Sequence, residues 1–320
     1  MNGEYSFDFK AKDDTSEIIA HVSSGKNKGK NIYLNKEKQT DMENDKVELF
    51  YDYVMDSKIR LTQKKLDKLT DAIMTETEPD DLDLKQIYRK FNDSLKHSQE
   101  ILLKDSQLDI VPYQGDDENV QRDVMFIGAC SGAGKTTFTA SYCKYFNKLF
   151  PTSPIWLFSC KPLKEETAYK DVKRIRQVDM SAENLQDLID NGGYQCFKSK
   201  SGRSLVIFDD FDAVDKKIEK LLDVLLNSVL QVGRSSRIYC IVSKHSLNAG
   251  HKTKIVWSES NKIVLFPNGL SRYSLVYAMK NYIGFDQKMI DKILAHKSRW
   301  ICINTHLPRY FVTQNSLAFV

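Results

Sequence analysis

The stretch Val124–Thr137, VMFIGACSGAGKTT, determines how the rest of the chain is interpreted. Its four leading residues are apolar and predict a short buried strand. A loop of small residues follows, and the sequence from Lys135 onward, KTTFTASYCKYF, has the pattern of a helix. Gly128, Gly132 and Gly134 would let backbone N–H groups turn around an anion at the helix start, where the helix dipole favours negative charge. The pattern therefore predicts a phosphate-binding strand–loop–helix unit.

This loop matches the P-loop pattern G-x-x-x-x-G-K-[ST] except at its first position, where Ala129 replaces glycine. Alanine is small enough to keep the turn. In this pattern Lys135 reaches the β- and γ-phosphates, and the hydroxyl of Thr136 binds Mg²⁺. We therefore expect ATP and Mg²⁺ as cofactors. The predicted nucleotide-binding residues are Ala129, Cys130, Ser131, Gly132, Ala133, Gly134, Lys135, Thr136 and Thr137.

The composition is that of an ordinary soluble protein of 320 residues, with 41% hydrophobic residues, 28% charged residues and a net charge of +4. Six cysteines and six histidines are scattered without a C-x-x-C pair, so neither a disulfide framework nor a zinc site is expected. No apolar run approaches the roughly 18 residues of a membrane helix, and the N-terminus does not have the pattern of a signal peptide. We expect a cytosol-like compartment and no membrane association.

Residues 1–117 are predicted to form an accessory region. Two apolar runs, at 18–22 and 32–34, flank a Gly/Lys/Asn-rich turn and predict a β-hairpin. Two helical patterns follow on either side of Pro79 and predict an antiparallel helical hairpin. Its apolar stripes are expected to pack on each other, with a partner-binding surface as the alternative. The stripe residues are Ile59, Thr62, Leu66, Leu69, Ile73, Leu84, Tyr88, Phe91, Leu95 and Leu102.

The polar segment Gln114–Asn119 predicts the boundary to a second domain, residues 118–320. An amphipathic helix is predicted from Ile218 to Leu230, ending at Gly233. The predicted fold class is α/β: a parallel sheet with flanking helices, plus a smaller, mostly helical N-terminal domain. Further predicted elements are strands at 154–159, 204–209, 238–242 and 263–266, a helical region over 275–294, and a terminal strand pair at 298–303 and 310–312.

The predicted strand at 204–209 ends in two acids, Asp209 and Asp210, which has the form of a Walker B site. Such a pair is unremarkable alone. Because this pair follows a P-loop in the sequence, it predicts that Asp209 holds Mg²⁺ through water and that Asp210 polarises the attacking water. Asp212 and Asp215, in the following loop, are interpreted as surface or capping residues.

Polar residues follow directly after the predicted strand at 238–242. If it lies between the P-loop strand and the Walker B strand, Ser243 or His245 could sense the γ-phosphate or orient the water, although His245 could equally be an ordinary loop histidine. Arg234 and Arg237 precede this strand, and either could act on a neighbouring subunit as an arginine finger. The alternative is an arginine favoured by the helix dipole, and the chemistry alone does not choose between them.

In their order, these motifs resemble the genome-packaging ATPases of large DNA viruses, virophages and Polinton-like elements, a branch of the FtsK–HerA translocases. The resemblance covers residues 122–320 and rests on GACSGAGKTT, LVIFDD and GRSSRIYCIVSKHSL. Two departures are Ser235, where the family commonly has His, and Asp210, where many members of the superfamily have Glu. The further matching residues are Gly250, Thr253, Glu259, the IVLFP run, Tyr282–Gly284, Ser298–Trp300 and Pro308–Tyr310.

This resemblance implies a RecA-like ASCE sheet, a homo-oligomeric ring and ATP-driven movement of double-stranded DNA into a capsid. It also implies capsid proteins as partners, and the host cytoplasm or the virion as the location. The implied roles are phosphate and Mg²⁺ binding for Lys135 and Thr136, Mg²⁺ binding for Asp209, the base for Asp210, the trans arginine for Arg234 and the sensor for Ser243 or His245.

A translocase needs contacts to the DNA backbone rather than to the bases. Four basic residues that follow the second predicted strand are candidates at the active edge of the sheet, and a solvated charged helix is the alternative. Two rival functions remain: a small-molecule phosphotransferase such as a nucleoside kinase, and a non-catalytic nucleotide-gated docking protein. The four basic residues are Lys161, Lys164, Lys173 and Arg174.

Overall fold

The computed structural model describes residues 5–36, 46–47, 50–51, 53–55, 57, 59–97, 100–115, 122–211, 214–247 and 251–320. For residues 93–97, 251 and 252, only the backbone is described. Three predictions lie outside the described residues: the domain boundary after residue 117, the surface role of Asp212, and Gly250 of the family pattern.

The predicted N-terminal β-hairpin is present. Strands β2 (Glu17–Ser24) and β3 (Asn31–Lys36) pair antiparallel. Strands β1 (Tyr5–Asp8) and β5 (Gln107–Ile110) extend them into a four-stranded antiparallel sheet of order β1-β3-β2-β5. The chain therefore returns to this small sheet, at β5, after the helical hairpin and before the P-loop strand.

The predicted helical hairpin is also present, as α1 (Gln63–Met74) and α2 (Leu82–His97). Leu102 was predicted on the same stripe, but it lies in strand β4 (Glu100–Leu102) and is 56% exposed. Because β4 pairs with the last strand of the larger sheet, tertiary pairing overrides the helical phase at this point. The two stripes form a small core of their own, which contains Phe50, Leu69, Ile73, Leu84 and Phe91.

Within the described residues, the larger sheet has ten strands in the order β4-β14-β13-β12-β11-β6-β10-β9-β7-β8. The neighbouring strands β11-β6-β10-β9-β7-β8 pair in parallel with one another. The strands from β4 to β11 at the other end of this order pair antiparallel. The predicted α/β class with a parallel core is therefore confirmed. The remaining strands are β6 (Val124–Gly128), β7 (Ile155–Ser159), β8 (Ile175–Gln177), β9 (Ser204–Asp209), β10 (Ile238–Lys244), β11 (Lys262–Leu265), β12 (Ile301–Asn304), β13 (Tyr310–Thr313) and β14 (Ser316–Phe319).

Helices flank the larger sheet. The carboxylate of Asp215 accepts hydrogen bonds from two backbone N–H groups at the start of the helix after β9, which confirms its predicted capping role. Within the described residues, no helix is long and apolar enough to span a membrane. The flanking helices are α3 (Lys135–Leu149), α4 (Ala182–Asp190), α5 (Lys216–Val232), α6 (His251–Glu259), α7 (Arg272–Ala278) and α8 (Gln287–Ala295).

The region predicted as helical over 275–294 is interrupted. The chain makes a π-helical turn at Met279–Ile283 and then breaks at Gly284, which has a φ of 82°. A residue in this left-handed region ends a helix, and glycine adopts it without steric cost. The second part of the region is α8.

Alternate residues of the parallel strands are buried on opposite faces of the sheet, as expected for strands covered on both sides. Met125 and Ile127 of β6 belong to a core cluster with residues of the N-terminal sheet and α3, whereas Phe126 belongs to a second cluster with residues of α5 on the other face. Phe7 of the N-terminal sheet stacks on Phe319 of β14, with ring centroids 4.0 Å apart. The N-terminal sheet and α3 therefore cover the same face of the larger sheet.

Candidate nucleotide-binding and hydrolysis site

The loop between β6 and α3 has the backbone of an anion-binding turn. Gly132 and Gly134 have φ values of 76° and 111°, a region that residues with a Cβ rarely adopt. Helix α3 begins directly after Gly134 without a side-chain cap, so its first N–H groups point towards the space where phosphate oxygens would lie. Gly128 does not serve this turn: it lies in β6, and the side chain of Leu247 leaves no room for a Cβ there.

Lys135 is the centre of the polar contacts in this site, although it is only 4% exposed. Its Nζ donates a 2.8 Å hydrogen bond to the carbonyl oxygen of Ala129. The same Nζ lies 3.2 Å from Asp210 Oδ2 and 3.1 Å from His245 Nδ1. His245 Nε2 is in turn 3.2 Å from Asp210 Oδ2. The structure thus brings three of the predicted catalytic side chains into direct contact.

Asp209 ends strand β9, beside Ser243 of β10 in the sheet register. It is buried, and its Oδ1 has no hydrogen-bond partner. Burial raises the pKa of Asp209 above its usual value, and this outweighs the opposing effects of the nearby Ser243 hydroxyl and the charge of Lys135. A buried carboxylate oxygen without a partner is costly unless something binds it.

These residues fit a Mg²⁺ ion. Thr136 lies at the start of α3 and lines the same cavity as Asp210, while Asp209 offers its unused oxygen. The described residues contain no cluster of three or more His, Cys, Asp or Glu side chains that could hold a metal ion by themselves. A cation held by one hydroxyl, one carboxylate and the phosphates of a nucleotide is the usual arrangement for Mg²⁺.

Asp210 turns out of the strand into this cavity. Its φ is 46°, a left-handed conformation that aspartate tolerates better than most residues and that is frequent at functional sites. Two hydrogen bonds to Ser243 of the neighbouring strand hold Asp210 in this position. The carbonyl oxygen of Ser243 accepts a hydrogen bond from the Asp210 backbone N–H at 3.2 Å, and its Oγ donates one to Asp210 Oδ1 at 3.4 Å. The cavity has a volume of ≈ 260 Å³, and its walls include most of the P-loop.

The predicted strand order is correct, because β10 lies between β6 and β9. Ser243 pairs with Ile127 on one side and with Asp209 on the other. Both candidate sensors, Ser243 and His245, therefore reach the carboxyl edge of the sheet, where each contacts Asp210.

Arg234 and Arg237 lie at the opposite, amino edge of the sheet, before β10 begins. With a rise of about 3.3 Å per residue, Ile238 at the start of this strand and Ser243 near its end are about 17 Å apart. Neither arginine can reach the P-loop of its own chain. Arg234 is exposed to solvent.

Arg299 adjoins the P-loop, although the sequence marked it only as part of a family motif. Its Nε donates to the carbonyl of Ala133 at 3.2 Å, and its guanidinium packs against Gly134, where an added Cβ would be 2.7 Å from Nη2. No local signal could have identified this contact, because 166 positions separate Arg299 from Ala133.

The four basic residues proposed for DNA contact do not lie together. Lys161 lines the P-loop cavity and pairs with Glu166 at 3.4 Å. Lys173 and Arg174, which were predicted at the active edge, precede β8 and therefore lie at the amino edge, where the carbonyl of Arg174 accepts from Ile155. The segment between β7 and β8 contains two short 3₁₀ turns rather than a charged helix, and it carries the chain back across the sheet.

Among solved structures, the chain is similar to the DNA-packaging ATPase B204 from Sulfolobus turreted icosahedral virus, with 17% identity, a TM-score of 0.42 and coverage of 57% of this chain and 92% of that one. It is also similar to ATPases 2 and 3 of EssC from Geobacillus thermodenitrificans, with 12% identity, a TM-score of 0.38 and coverage of 68% and 43%. Similarity at this level concerns the fold alone.

No protein-family model matches the chain. The chain is similar to a virophage protein, the uncharacterized protein V3 of Sputnik virophage. The two are 31% identical over 208 residues, which are 64% of this chain and 79% of that protein. This relative confirms the resemblance to virophage proteins that the motifs predict. The chain belongs to the family of virophage protein V3.

Proposed function

We propose that this protein is a ring-forming ATPase that moves double-stranded DNA and packages a viral genome into a capsid. The observation that carries the proposal is the contact among Lys135, Asp210 and His245 at the carboxyl edge of a parallel sheet, beside the unused oxygen of Asp209. Membership of a virophage family and the motif order support DNA as the polymer that is moved.

The P-loop would bind the phosphates of ATP through the N–H groups at the start of α3, with Lys135 reaching the β- and γ-phosphates. Thr136 and Asp209 would hold Mg²⁺, which neutralises charge on the phosphates when bound. Water is the proposed acceptor, because the paired acids lie where the γ-phosphate would end.

Asp210 would accept the proton of the attacking water, and Ser243 and His245 would orient it. In the structure, Lys135 holds one oxygen of Asp210. A bound triphosphate competes for the same ammonium group, so nucleotide binding would release the carboxylate as ATP becomes available for hydrolysis. The availability of the base is thereby linked to the presence of the substrate.

Arg234 would act in trans. Because it precedes β10, whose first residue is about 17 Å from Ser243 at the carboxyl edge, it could stabilise the transition state only at the site of a neighbouring subunit. This requirement supports a homo-oligomeric ring in which each site is completed by the next subunit. Capsid proteins are the further partners we propose, with action in the host cytoplasm during virion assembly and in the virion.

Steady-state ATP hydrolysis, with and without long double-stranded DNA at low salt, tests this function. We expect DNA to stimulate turnover, and Asp210→Asn to lower it by roughly 10²–10⁴-fold, the usual worth of a general base. Asp171→Asn is the matched control, since this carboxylate is 75% exposed and precedes β8 at the amino edge.

Two results would contradict the proposal. Tight ATP binding without hydrolysis, with or without DNA, would indicate the nucleotide-gated docking protein instead. Transfer of the γ-phosphate to a nucleoside, in place of release as inorganic phosphate, would indicate the phosphotransferase.

A further inference from the structure

A second cavity, of ≈ 220 Å³, adjoins the P-loop cavity. On the same measure one water molecule needs only about 10–15 Å³, so this cavity can hold a chemical group of considerable size. The two cavities share Gly134, Thr137 and Arg299, whereas Lys135 and Asp210 line the P-loop cavity alone. The second cavity therefore continues the first from the end of the P-loop that lies away from the proposed base.

Its walls come from four parts of the chain, one of which is Phe266, directly after β11. Helix α3 contributes Phe138 and Ser141, and the C-terminal segment contributes Trp300 and Gln314. The remaining wall is strand β5 of the N-terminal sheet, Gln107–Ile110. Strand β5 is joined to the C-terminal segment by a backbone hydrogen bond of 2.6 Å, from the N–H of Leu108 to the carbonyl of Gln314.

The direction of a bound triphosphate follows from the P-loop. Lys135 and Asp210 mark the γ-phosphate end, and the loop N–H groups hold the phosphates that lie further back. Thr137, one residue beyond the proposed Mg²⁺ ligand Thr136, opens into both cavities. The part of the nucleotide that follows the α-phosphate is the nucleoside, so it would leave the P-loop at this shared rim.

We infer that the nucleoside part of the nucleotide binds in this second cavity, with strand β5 of the N-terminal region as one of its walls. The inference rests on the ATP site proposed above. It gives the N-terminal sheet, which lies outside the P-loop motifs, a direct part in nucleotide binding.

The lining suits a base and a ribose. Phe138 and Trp300 meet edge to face with centroids 5.0 Å apart, and together with Leu108 they offer an apolar surface for a ring. Gln107, Asp109 and Ser141 offer polar groups at the same cavity. The carboxylate of Asp109 suits an exocyclic amino group such as that of adenine, and Arg299, at the shared rim, places positive charge beside the α-phosphate.

Filling the cavity tests the inference. Ser141→Phe places a ring inside it, and Lys148→Phe is the control, since this residue is exposed on the same helix and does not line the cavity. Calorimetry on the full chain would compare two probes in the presence of Mg²⁺: ATP and inorganic tripolyphosphate. We expect Ser141→Phe to weaken ATP binding by about tenfold or more, because a ligand group loses its pocket, and to leave tripolyphosphate binding unchanged.

Photolabelling of the unaltered protein with 8-azido-ATP gives an answer that does not depend on the folding of a variant. We expect the label in peptides that contain 107–110, 138–141 or 300–314, with at least part of it in strand β5. Label confined to other peptides, or unchanged ATP affinity in a folded Ser141→Phe protein, overturns this inference and leaves the proposed function intact. Failure of the unaltered protein to bind either probe overturns the ATP site itself.

Discussion

The two edges of the parallel sheet each carry a buried aspartate, and the two aspartates differ in how completely they are hydrogen-bonded. At the amino edge, Asp123 accepts hydrogen bonds from the Tyr113 backbone N–H at 2.9 Å and the Tyr142 hydroxyl at 2.6 Å, and it pairs with Lys262 at 2.8 Å. At the carboxyl edge, Asp209 keeps a buried oxygen without a partner. Asp123 is therefore satisfied by its own chain, whereas Asp209 leaves an oxygen free to bind a ligand.

Arg122 is likewise held by several hydrogen bonds at the amino edge. Its guanidinium donates to the carbonyl oxygens of Val229, Leu230 and Ile238 at 2.8, 2.6 and 2.7 Å. Burial lowers its pKa, and the three bonds join the end of α5 to the start of β10. A saturated polar network of this kind indicates a structural role, and an unsatisfied one indicates a functional site.

The largest expected effect comes from the buried lysine at the carboxyl edge. Lys135→Ala should reduce ATP turnover to background, because Lys135 is the P-loop lysine expected to reach the β- and γ-phosphates and it also contacts Asp210. It should leave the unfolding transition close to that of the unaltered protein, since Asp210 and His245 remain in contact. ATP turnover and thermal unfolding, both measured on the same preparation of the Lys135→Ala protein, check this. An unfolded variant would contradict the view that Lys135 serves the ligand rather than the fold.

Arg234→Ala should lower turnover by roughly 10³–10⁵-fold, the usual worth of an arginine finger, without weakening ATP binding. The residue is exposed and far from its own P-loop, so the loss would arise between subunits. Mixing this variant with Lys135→Ala should restore part of the activity, because the second variant supplies intact arginines to intact P-loops. Full activity of Arg234→Ala alone would remove this residue from the mechanism and would leave Arg237 to be tested.

Lys262→Met should lower the free energy of unfolding by about 3–5 kcal/mol, because Asp123 would stay buried without its counter-charge. Burial by itself lowers the pKa of Lys262, but the charge of Asp123 and other nearby acidic groups raises it overall, so the lysine remains charged when folded. Denaturant titration measures the loss. The double variant with Asp123→Asn is the control, and it should recover much of the stability.

The smallest effect is expected for Asp209→Asn. The raised pKa of Asp209 means that the folded state binds the proton more tightly than the unfolded state, so this group costs stability as the pH rises above its usual pKa of 3.8. The ligand-free variant should melt slightly higher than the unaltered protein at neutral pH, and the difference should vanish in acid. With Mg²⁺ and ATP, the unaltered protein should gain more stability than the variant. A lower melting temperature for the ligand-free variant at neutral pH would contradict this view of the carboxyl edge.

Local patterns were sufficient for the parts of the fold that are continuous in sequence. The β-hairpin, the helical hairpin, the P-loop unit and the central strands follow from periodicity, turn residues and apolar runs. Strands β1, β4, β5, β8 and β14 were not predicted, because three or four residues carry little pattern and these strands depend on a neighbouring strand to form. Lys173 and Arg174 were placed at the wrong edge for the same reason, since β8 reverses their position.

The sequence by itself determined the identity of the site: a P-loop, paired acids and a polar strand end, each within a short segment. Only the tertiary structure decided which groups meet there and how completely they are satisfied. The contact of Arg299 with the P-loop and the network of Asp123 and Lys262 join residues more than a hundred positions apart. The cavity shared by α3 and β5 joins a helix that flanks the larger sheet to a strand of the N-terminal sheet. The physical reason is that burial and hydrogen bonding depend on the folded neighbours of a residue, which a local pattern does not contain.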